Sequence, residues 1–236
     1  MLEVYPVLCR AGYMDNYAYI IKDTKSAEAA IIDPSEAKPI ISECEKLKIT
    51  PKFILNTHHH FDHVDGNLEL SEKYHAKIVC NTADMYRIKG AEIGINPGGT
   101  FDLGNSAAEI IDVSAHTQGH ILFYFKNDKI LFTGDTLFNL CIGGLFEGTT
   151  KQMFEALKKI KQLPNDVVFY PGHEYTQGGA AFAFRYNQGN IYIKEYLELA
   201  KNRLDQGRPV APITLEKEKR CNPYLQANTI EEFELL

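Results

Sequence analysis

The stretch NTHHHFDHVDGN, Asn56 to Asn67, holds four of the chain's eight histidines within six positions, with an aspartate between the third and the fourth. It follows KFILNT, a run that reads as a strand. Side chains two apart in an extended segment share a side, so His58 and His60 face together and His59 faces away, toward a hydrogen-bonding or capping role. Asp62 and His63 are adjacent and need a tighter turn to converge, the first turn of a helix that continues through Leu68 and Leu70. Imidazoles crowded into one loop repel once protonated. A metal ion removes that cost because it binds neutral imidazole and competes with protons. Imidazole with carboxylate is a ligand set for zinc, iron or manganese. Whatever this chain folds into has to bring a strand end and a helix start to one point.

The rest of the chain supplies strands and helices in mixed order. LEVYPVL, NYAYIIKD and EAAIIDP read as short strands, and SEAKPIISECEKLKI as a helix with Ser35 as its N-cap. GNLELSEKYHA reads as a helix and KIVCN as a strand. Strands recur from Thr100 to Thr136, with a turn at KNDK. TTKQMFEALKKIKQL is an amphipathic helix ended before Pro164, and DVVFYPG is a last strand. Beyond Gly172 the pattern turns helical, through AAFAFRYN and NIYIKEYLELAKNRLDQG. The sequence therefore predicts an α/β body to about residue 173 and a helical C-terminal portion, with no internal repeat.

Composition narrows the function classes. The net charge is −6, which gives no support to general nucleic-acid binding. The five cysteines are odd in number, scattered and without a CxxC pair, which fits a reducing compartment rather than a disulfide framework. The first residues read neither as a signal peptide nor as a membrane span, so the expectation is a cytoplasmic protein with no membrane partner. No G-x-S-x-G elbow competes for a hydrolytic role.

Four segments carry a resemblance. T-H-H-H-F-D-H fits the T-H-x-H-x-D-H signature of the metallo-β-lactamase superfamily. SAHTQGHILFYF, LFTGDTLF and YPGHEYT resemble the segments that deliver a further histidine, a bridging aspartate and a last histidine. Their order, with GDTLF, FEGT and GHEYT, resembles glyoxalase II, the hydroxyacylglutathione hydrolases, from DNYAY through CNPYL. The resemblance implies an α/β (α+β), four-layer αββα sandwich with a small C-terminal helical domain. Residues 1–173 would be the metal-binding domain and 174–236 the substrate-binding domain. It implies two divalent metal ions, zinc foremost, with iron or manganese as alternatives. His58, His60 and His116 would hold the first ion, Asp62, His63 and His173 the second, and Asp135 would bridge both; Asp62 and Asp135 are the expected catalytic carboxylates. His120 would be supporting, with exchange of roles with His116 left open. His75 reads as structural, and Asp33 and Asp65 as orienting partners or ordinary surface or turn residues.

The activity implied is hydrolysis of S-D-lactoylglutathione to D-lactate and glutathione through a metal-bridging hydroxide, a step of methylglyoxal detoxification, by a monomer acting on a small-molecule glutathione thioester. A thiolate leaves readily, since its conjugate acid has a pKa of roughly 8.5. Gly144 and Phe146 stand where many family members carry Lys and Tyr as glutathione contacts, and Tyr175 matches a family tyrosine; these are the expected substrate-binding positions. The end of the chain, IEEFELL, is acidic where many members carry a basic helix. The run EKEKR (Glu216 to Arg220) or Arg185 could compensate, or the run could be a solvated face. Other readings on the same fold are a hydrolase or thioesterase with a different thiol carrier, a lactonase or β-lactamase, and a mononuclear-iron persulfide dioxygenase. A non-catalytic metal-binding module is a further class.

Overall fold

A computed structural model describes residues 1–236. Its contacts divide the chain into two units, Met1–Asp112 with Gly119–Phe132, and Val113–Gln118 with Thr133–Leu236.

The first unit opens with β1 (Leu2–Cys9), β2 (Asn16–Asp23) and β3 (Ala29–Ile32), followed by α1 (Ala37–Leu47), β4 (Phe53–Leu55), α2 (Phe61–Val64), α3 (Asn67–Tyr74), β5 (Lys77–Asn81) and β6 (Ala91–Ile95). The six strands form one sheet in chain order, antiparallel from β1 to β3 and parallel from β3 to β6. A second antiparallel set runs through β7 (Thr100–Leu103), β8 (Ser106–Asp112), β9 (Ile121–Phe125) and the first residues of β10 (Ile130–Gly134).

Strand β2 is buried on both faces, which is why NYAYII reads as a continuous apolar run rather than an alternation. Ala18 and Ile20 pack with Ile40 and Cys44 of α1 and Leu70 of α3. On the other face Tyr19 meets Phe132, ring centroids 5.4 Å apart, and Phe53 of β4 meets Phe101 of β7 at 5.2 Å. The unit is thus helices on sheet on sheet, with apolar side chains filling both interfaces.

Local chemistry departs from the sequence reading at several points. The N-cap of α1 is Glu36, with no side-chain cap bond. Ser35 instead accepts a hydrogen bond from Arg10 Nε at 2.6 Å. The helix expected after the histidine cluster is two helices, because the chain breaks at Asp65–Gly66 between α2 and α3. Gly66 is packed so closely that a Cβ there would lie 2.8 Å from the Pro34 carbonyl oxygen, and backbone cannot yield as a side chain can. Strand β6, AEIGI, is an addition to the strands expected: Ala91, Ile93 and Ile95 form its half-buried face, Glu92 and Gly94 are exposed, and it pairs with β5 across a register shift.

The second unit begins with a short loop, Val113–Gln118, and resumes at the end of β10. It contains β11 (Leu137–Phe138) and β12 (Cys141–Ile142), a hairpin, then α4 (Thr150–Lys161), β13 (Val168–Pro171), α5 (Thr176–Tyr186), α6 (Ile191–Asp205), β14 (Ile213–Thr214), α7 (Leu215–Cys221), α8 (Pro223–Gln226) and α9 (Ile230–Glu234). Thr149 and Gln152 close a capping box on α4. Strand β14 returns antiparallel to β13, so the stretch beyond residue 173 is not purely helical. Phe233 of α9 packs on Phe154 of α4 and Tyr224 of α8, at 5.6 and 5.2 Å. The acidic C-terminal segment therefore serves packing through its one buried aromatic.

EKEKR folds as the greater part of α7 and is not a free basic patch. Lys219 donates to Leu163 O and Asn165, and Arg220 pairs with Glu216 at 2.6 Å. Glu218 is fully buried, receiving hydrogen bonds from Leu140 N, Tyr196 Oη and Asn222 Nδ2 at 2.6, 2.9 and 2.8 Å. Burial outweighs those bonds and pushes its pKa from 4.5 up to about 7. The folded protein therefore holds a proton between those values that the unfolded chain has released, and stability falls as pH rises through the window. Relative to Glu218→Gln, the unsubstituted chain should lose on the order of 3 kcal/mol between pH 4.5 and 7, readable by denaturant melts of both proteins across that range. Parallel pH profiles would contradict the assignment.

Candidate metal centre

Every candidate ligand follows a strand. In the first unit the parallel strands β3, β4 and β5 end at one edge, and the loops beyond them carry Asp33, Asn56 to His63, and Asn81 to Asp84. The carboxyl ends of parallel strands are where open α/β sheets place their sites.

The bonding behind the imidazoles fixes their protons. Asp33 accepts from Thr57 N at 2.8 Å and from Thr57 Oγ1 at 2.6 Å, and His63 Nδ1 lies 3.2 Å from its Oδ2. The Thr57 hydroxyl has given its hydrogen to Asp33, so its oxygen accepts from His58 Nδ1 at 3.0 Å. The network thus assigns Nδ1–H to both His58 and His63 and makes Nε2 the nitrogen through which either ring, when neutral, can bind a metal. His63 Nε2 sits 3.6 Å from Asp62 Oδ2. The His60 ring stands edge-on to His58, centroids 4.8 Å apart, and is half-buried. Asp33, His58 and His63 offer donor atoms within 4.8 Å of one another, but Asp33 is already engaged by three donors behind the imidazoles and acts as their support.

His59 points elsewhere, 3.4 Å from Asp84 and 3.3 Å from Arg87, as the extended reading predicts. His120 is buried and stacks on His58 with centroids 4.7 Å apart. His75 closes α3 in a left-handed conformation, and Asp65 pairs with Arg10 at 2.5 Å.

In the second unit three more side chains converge. His116 comes from the Val113–Gln118 loop, Asp135 follows β10, and His173 follows β13. His116 Nε2 and His173 Nε2 lie 3.5 and 3.3 Å from the same oxygen, Oδ2 of Asp135. His116 Nδ1 donates to Gly144 O at 2.6 Å, so Nε2 is the nitrogen that His116 presents to the carboxylate. Two imidazole nitrogens and a carboxylate oxygen gathered this closely are donors that one divalent cation can share. The donor chemistry of both units therefore fits divalent metal ions.

The expected substrate positions all adjoin these imidazoles. Gly144 supplies the carbonyl that fixes His116, Phe146 packs edge-on to His116 at 5.2 Å while 71% exposed, and Tyr175 stacks on His173 at 4.6 Å.

Three asparagines escape a reading centred on ligands. Asn16 donates to Asp62 O and Oδ2 at 2.9 and 3.0 Å. Asn56 and Asn67 bond to each other across the histidine loop, with Asn56 also holding His63 O at 3.0 Å. Their signal was a polar amide at the end of an apolar strand or helix, buried once folded.

Comparison with known proteins places this geometry. The Metallo-beta-lactamase superfamily model matches residues 12–173, and the Hydroxyacylglutathione hydrolase C-terminus model matches residues 174–234. A hydroxyacylglutathione hydrolase of Pelagibacter ubique (strain HTCC1062) is 42% identical over all of this chain and 97% of its own length. The chain belongs to the hydroxyacylglutathione hydrolase family, within the metallo-β-lactamase superfamily. A second member, from Ruegeria pomeroyi (strain ATCC 700808 / DSM 15171 / DSS-3), is 39% identical over 96% of the chain and 88% of its own length. Among solved structures, BLEG-1 B3 metallo-beta-lactamase aligns with a TM-score of 0.72 and 21% identity, covering 96% of this chain and 100% of that one. ETHE1 from Myxococcus xanthus gives 0.74 and 22%, covering 98% and 88%. At that identity they show the fold, mixed α/β sheets with a C-terminal helical region.

The support behind the family's histidines is testable here. Asp33→Ala removes the acceptor of His63 Nδ1–H and of both Thr57 donors. Metal affinity should fall about 10- to 100-fold in a chelator competition assay. Unchanged affinity would mean that Asp33 does not orient His63.

Proposed function

We propose that this chain hydrolyses S-(2-hydroxyacyl)glutathione, with S-D-lactoylglutathione as substrate and D-lactate and glutathione as products, using two divalent metal ions. In this reading His58, His60 and His116 hold one ion, Asp62, His63 and His173 hold the other, and Asp135 serves both. Zinc is the first choice, and iron or manganese suit the same donors. The observation that carries the reading is the bonding behind the rings: His58, His63 and His116 each have a partner at Nδ1, which leaves Nε2 as the ligating nitrogen. What such ions supply when bound is an acidified water and a polarised carbonyl.

The chain's own residues do the rest. Asn16 fixes the Asp62 carboxylate. Thr57 and Asp33 hold the His58 and His63 rings in orientation through their Nδ1 atoms. Phe146 and Tyr175, exposed beside His116 and His173, would flank the thioester, and residues 174–236 would form the substrate-binding domain next to residues 1–173. No strong general acid is needed, since a thiolate leaves with a conjugate-acid pKa of roughly 8.5. No helix is long and apolar enough to cross a membrane, and we place the activity in the cytoplasm, carried by a monomer.

A second reading keeps the chemistry and changes the thiol carrier. Gly144 offers a carbonyl in place of a cation, while Lys219 is engaged by Leu163 O and Asn165 and Arg220 by Glu216. A carrier that needs no basic clamp would suit these features.

One preparation decides between them: thioester hydrolysis on S-D-lactoylglutathione and on a panel of other thioesters, with metal content counted. Asp135→Ala should lower kcat on the order of 10³-fold and reduce metal content. Full turnover in that variant refutes the role of Asp135, and cleavage of other thioesters but not this one selects the second reading.

A further inference from the structure

The β11–β12 hairpin of the second unit touches both of that unit's imidazole sites. Phe138 packs edge-on to His173 at 5.6 Å and to Tyr175 at 5.2 Å. Just beyond β12, Gly144 O takes the His116 Nδ1 proton at 2.6 Å. The hairpin approaches so closely that a Cβ on Gly143 would lie 3.0 Å from His116 Nδ1. Its turn, Asn139–Leu140, puts Leu140 at φ 65°, a left-handed conformation that a branched apolar residue seldom adopts.

Something has to hold that turn. The Leu140 N–H donates to Glu218 Oε1 at 2.6 Å, and Glu218 itself is fully buried on α7. Oε1 also accepts from Asn222 Nδ2 at 2.8 Å, and Asn222 Nδ2 reaches Cys141 O at 3.1 Å. Oε2 accepts from Tyr196 Oη of α6 at 2.9 Å. Asn139 Nδ2 donates to Thr176 Oγ1 of α5 at 3.0 Å. Elements α5, α6, α7 and the residue after α7 thus hold one two-residue turn. A carboxyl group buried at such cost, with no cation among its hydrogen-bond donors, marks a group held for what it fixes.

We propose that Glu218 is a positioning residue: it pins the Asn139–Leu140 turn and, through the hairpin, sets Phe138 against His173 and Tyr175 and the Gly144 carbonyl on His116. This assignment rests on the reading of His116 and His173 as metal ligands. It makes the C-terminal helices part of the scaffold of the metal centre as well as a cover for substrate.

The test uses the full chain loaded with cobalt(II), whose visible absorption reports ligand geometry without any substrate. Glu218→Leu removes the anchor, and Glu218→Asp shortens it by one methylene. Both should shift the cobalt bands and lower kcat about tenfold or more with a smaller change in KM. Glu218→Gln, which keeps an acceptor for Leu140, should retain the unsubstituted spectrum. Adding Leu140→Gly to Glu218→Leu should restore most of it, because glycine holds the left-handed turn without the anchor. A merely space-filling role would show no such rescue. If Glu218→Leu does not fold, Glu218→Asp and Glu218→Gln carry the decision. An unshifted spectrum in folded Glu218→Leu or Glu218→Asp, or no rescue by Leu140→Gly, overturns the proposal. A variant-dependent spectrum in a protein that leaves S-D-lactoylglutathione intact supports the role of Glu218 while overturning the thioesterase reading.

Discussion

An imidazole has two nitrogens, and what it can bind depends on which one keeps the proton. In this chain that choice is made behind the ligands rather than at them. Asp33 takes the hydroxyl proton of Thr57, Thr57 then accepts from His58, and His63 is held on the same carboxylate oxygen of Asp33. Gly144 O does the same for His116. Each of these bonds is of ordinary strength, worth about 1 kcal/mol net on its own. Their consequence is larger, because they leave Nε2 as the nitrogen each ring can offer, beside Asp62 for His63 and beside Asp135 for His116. Imidazole nitrogens set among carboxylate oxygens are a donor set that a divalent cation can hold, and the fold is arranged to present it.

These groups sit where buried strands end. Asp33 follows β3 and Thr57 follows β4, behind the imidazoles, and Asp135 follows β10, facing His116 and His173, each on the first residues after a buried run. A strand locked on both faces by apolar packing cannot shift register without exposing its side chains. Its terminal residue is consequently held with the precision of the core, while the loop just beyond is free to curl. The turn into α2 exploits this freedom within limits set by Gly66, whose missing side chain lets the chain pass against the Pro34 carbonyl.

Legibility in the sequence followed the same division. The pairing of His58 with His60 and the outward turn of His59 could be read from a two-residue period, because an extended segment leaves few alternatives. The strands β1 to β5 were visible as apolar runs, and α4 as an amphipathic repeat ended before Pro164. The short elements α7 to α9 and the β11–β12 hairpin were not, since runs of two to seven residues carry too little periodicity and owe their form to tertiary contacts. EKEKR looked like a charge run because sequence shows residue type and not environment: Lys219 and Arg220 find partners at the surface, while Glu218 between them and Thr214 turns fully inward. Asn16, Asn56 and Asn67 were equally opaque, for an amide's role is defined by the backbone groups it reaches. The capping serine failed for a specific reason. Arg10, in the β1–β2 connection, competes for the same hydroxyl and wins.

Chemistry and recognition place different demands on a chain, and this one separates them. Holding ions requires a fixed set of donor types at fixed distances, which tolerates almost no substitution, and all seven expected positions carry the required residue. Recognising a thiol carrier requires only enough favourable surface to outweigh the cost of ordering it, which many combinations satisfy. At the positions expected to meet the carrier this chain has Gly144, whose backbone is committed to His116, and its acidic terminal helix is committed to packing through Phe233. What is left exposed beside the imidazoles is aromatic, Phe146 and Tyr175. A surface of that kind gains from burial of apolar area and loses little when salt is raised, whereas an exposed ionic clamp is screened as salt shortens the Debye length, about 8 Å at physiological ionic strength. Under the proposed activity, affinity for the thioester should accordingly be set by the apolar part of the carrier and acyl group, with turnover governed separately by the side chains that hold the proposed metal ligands in place.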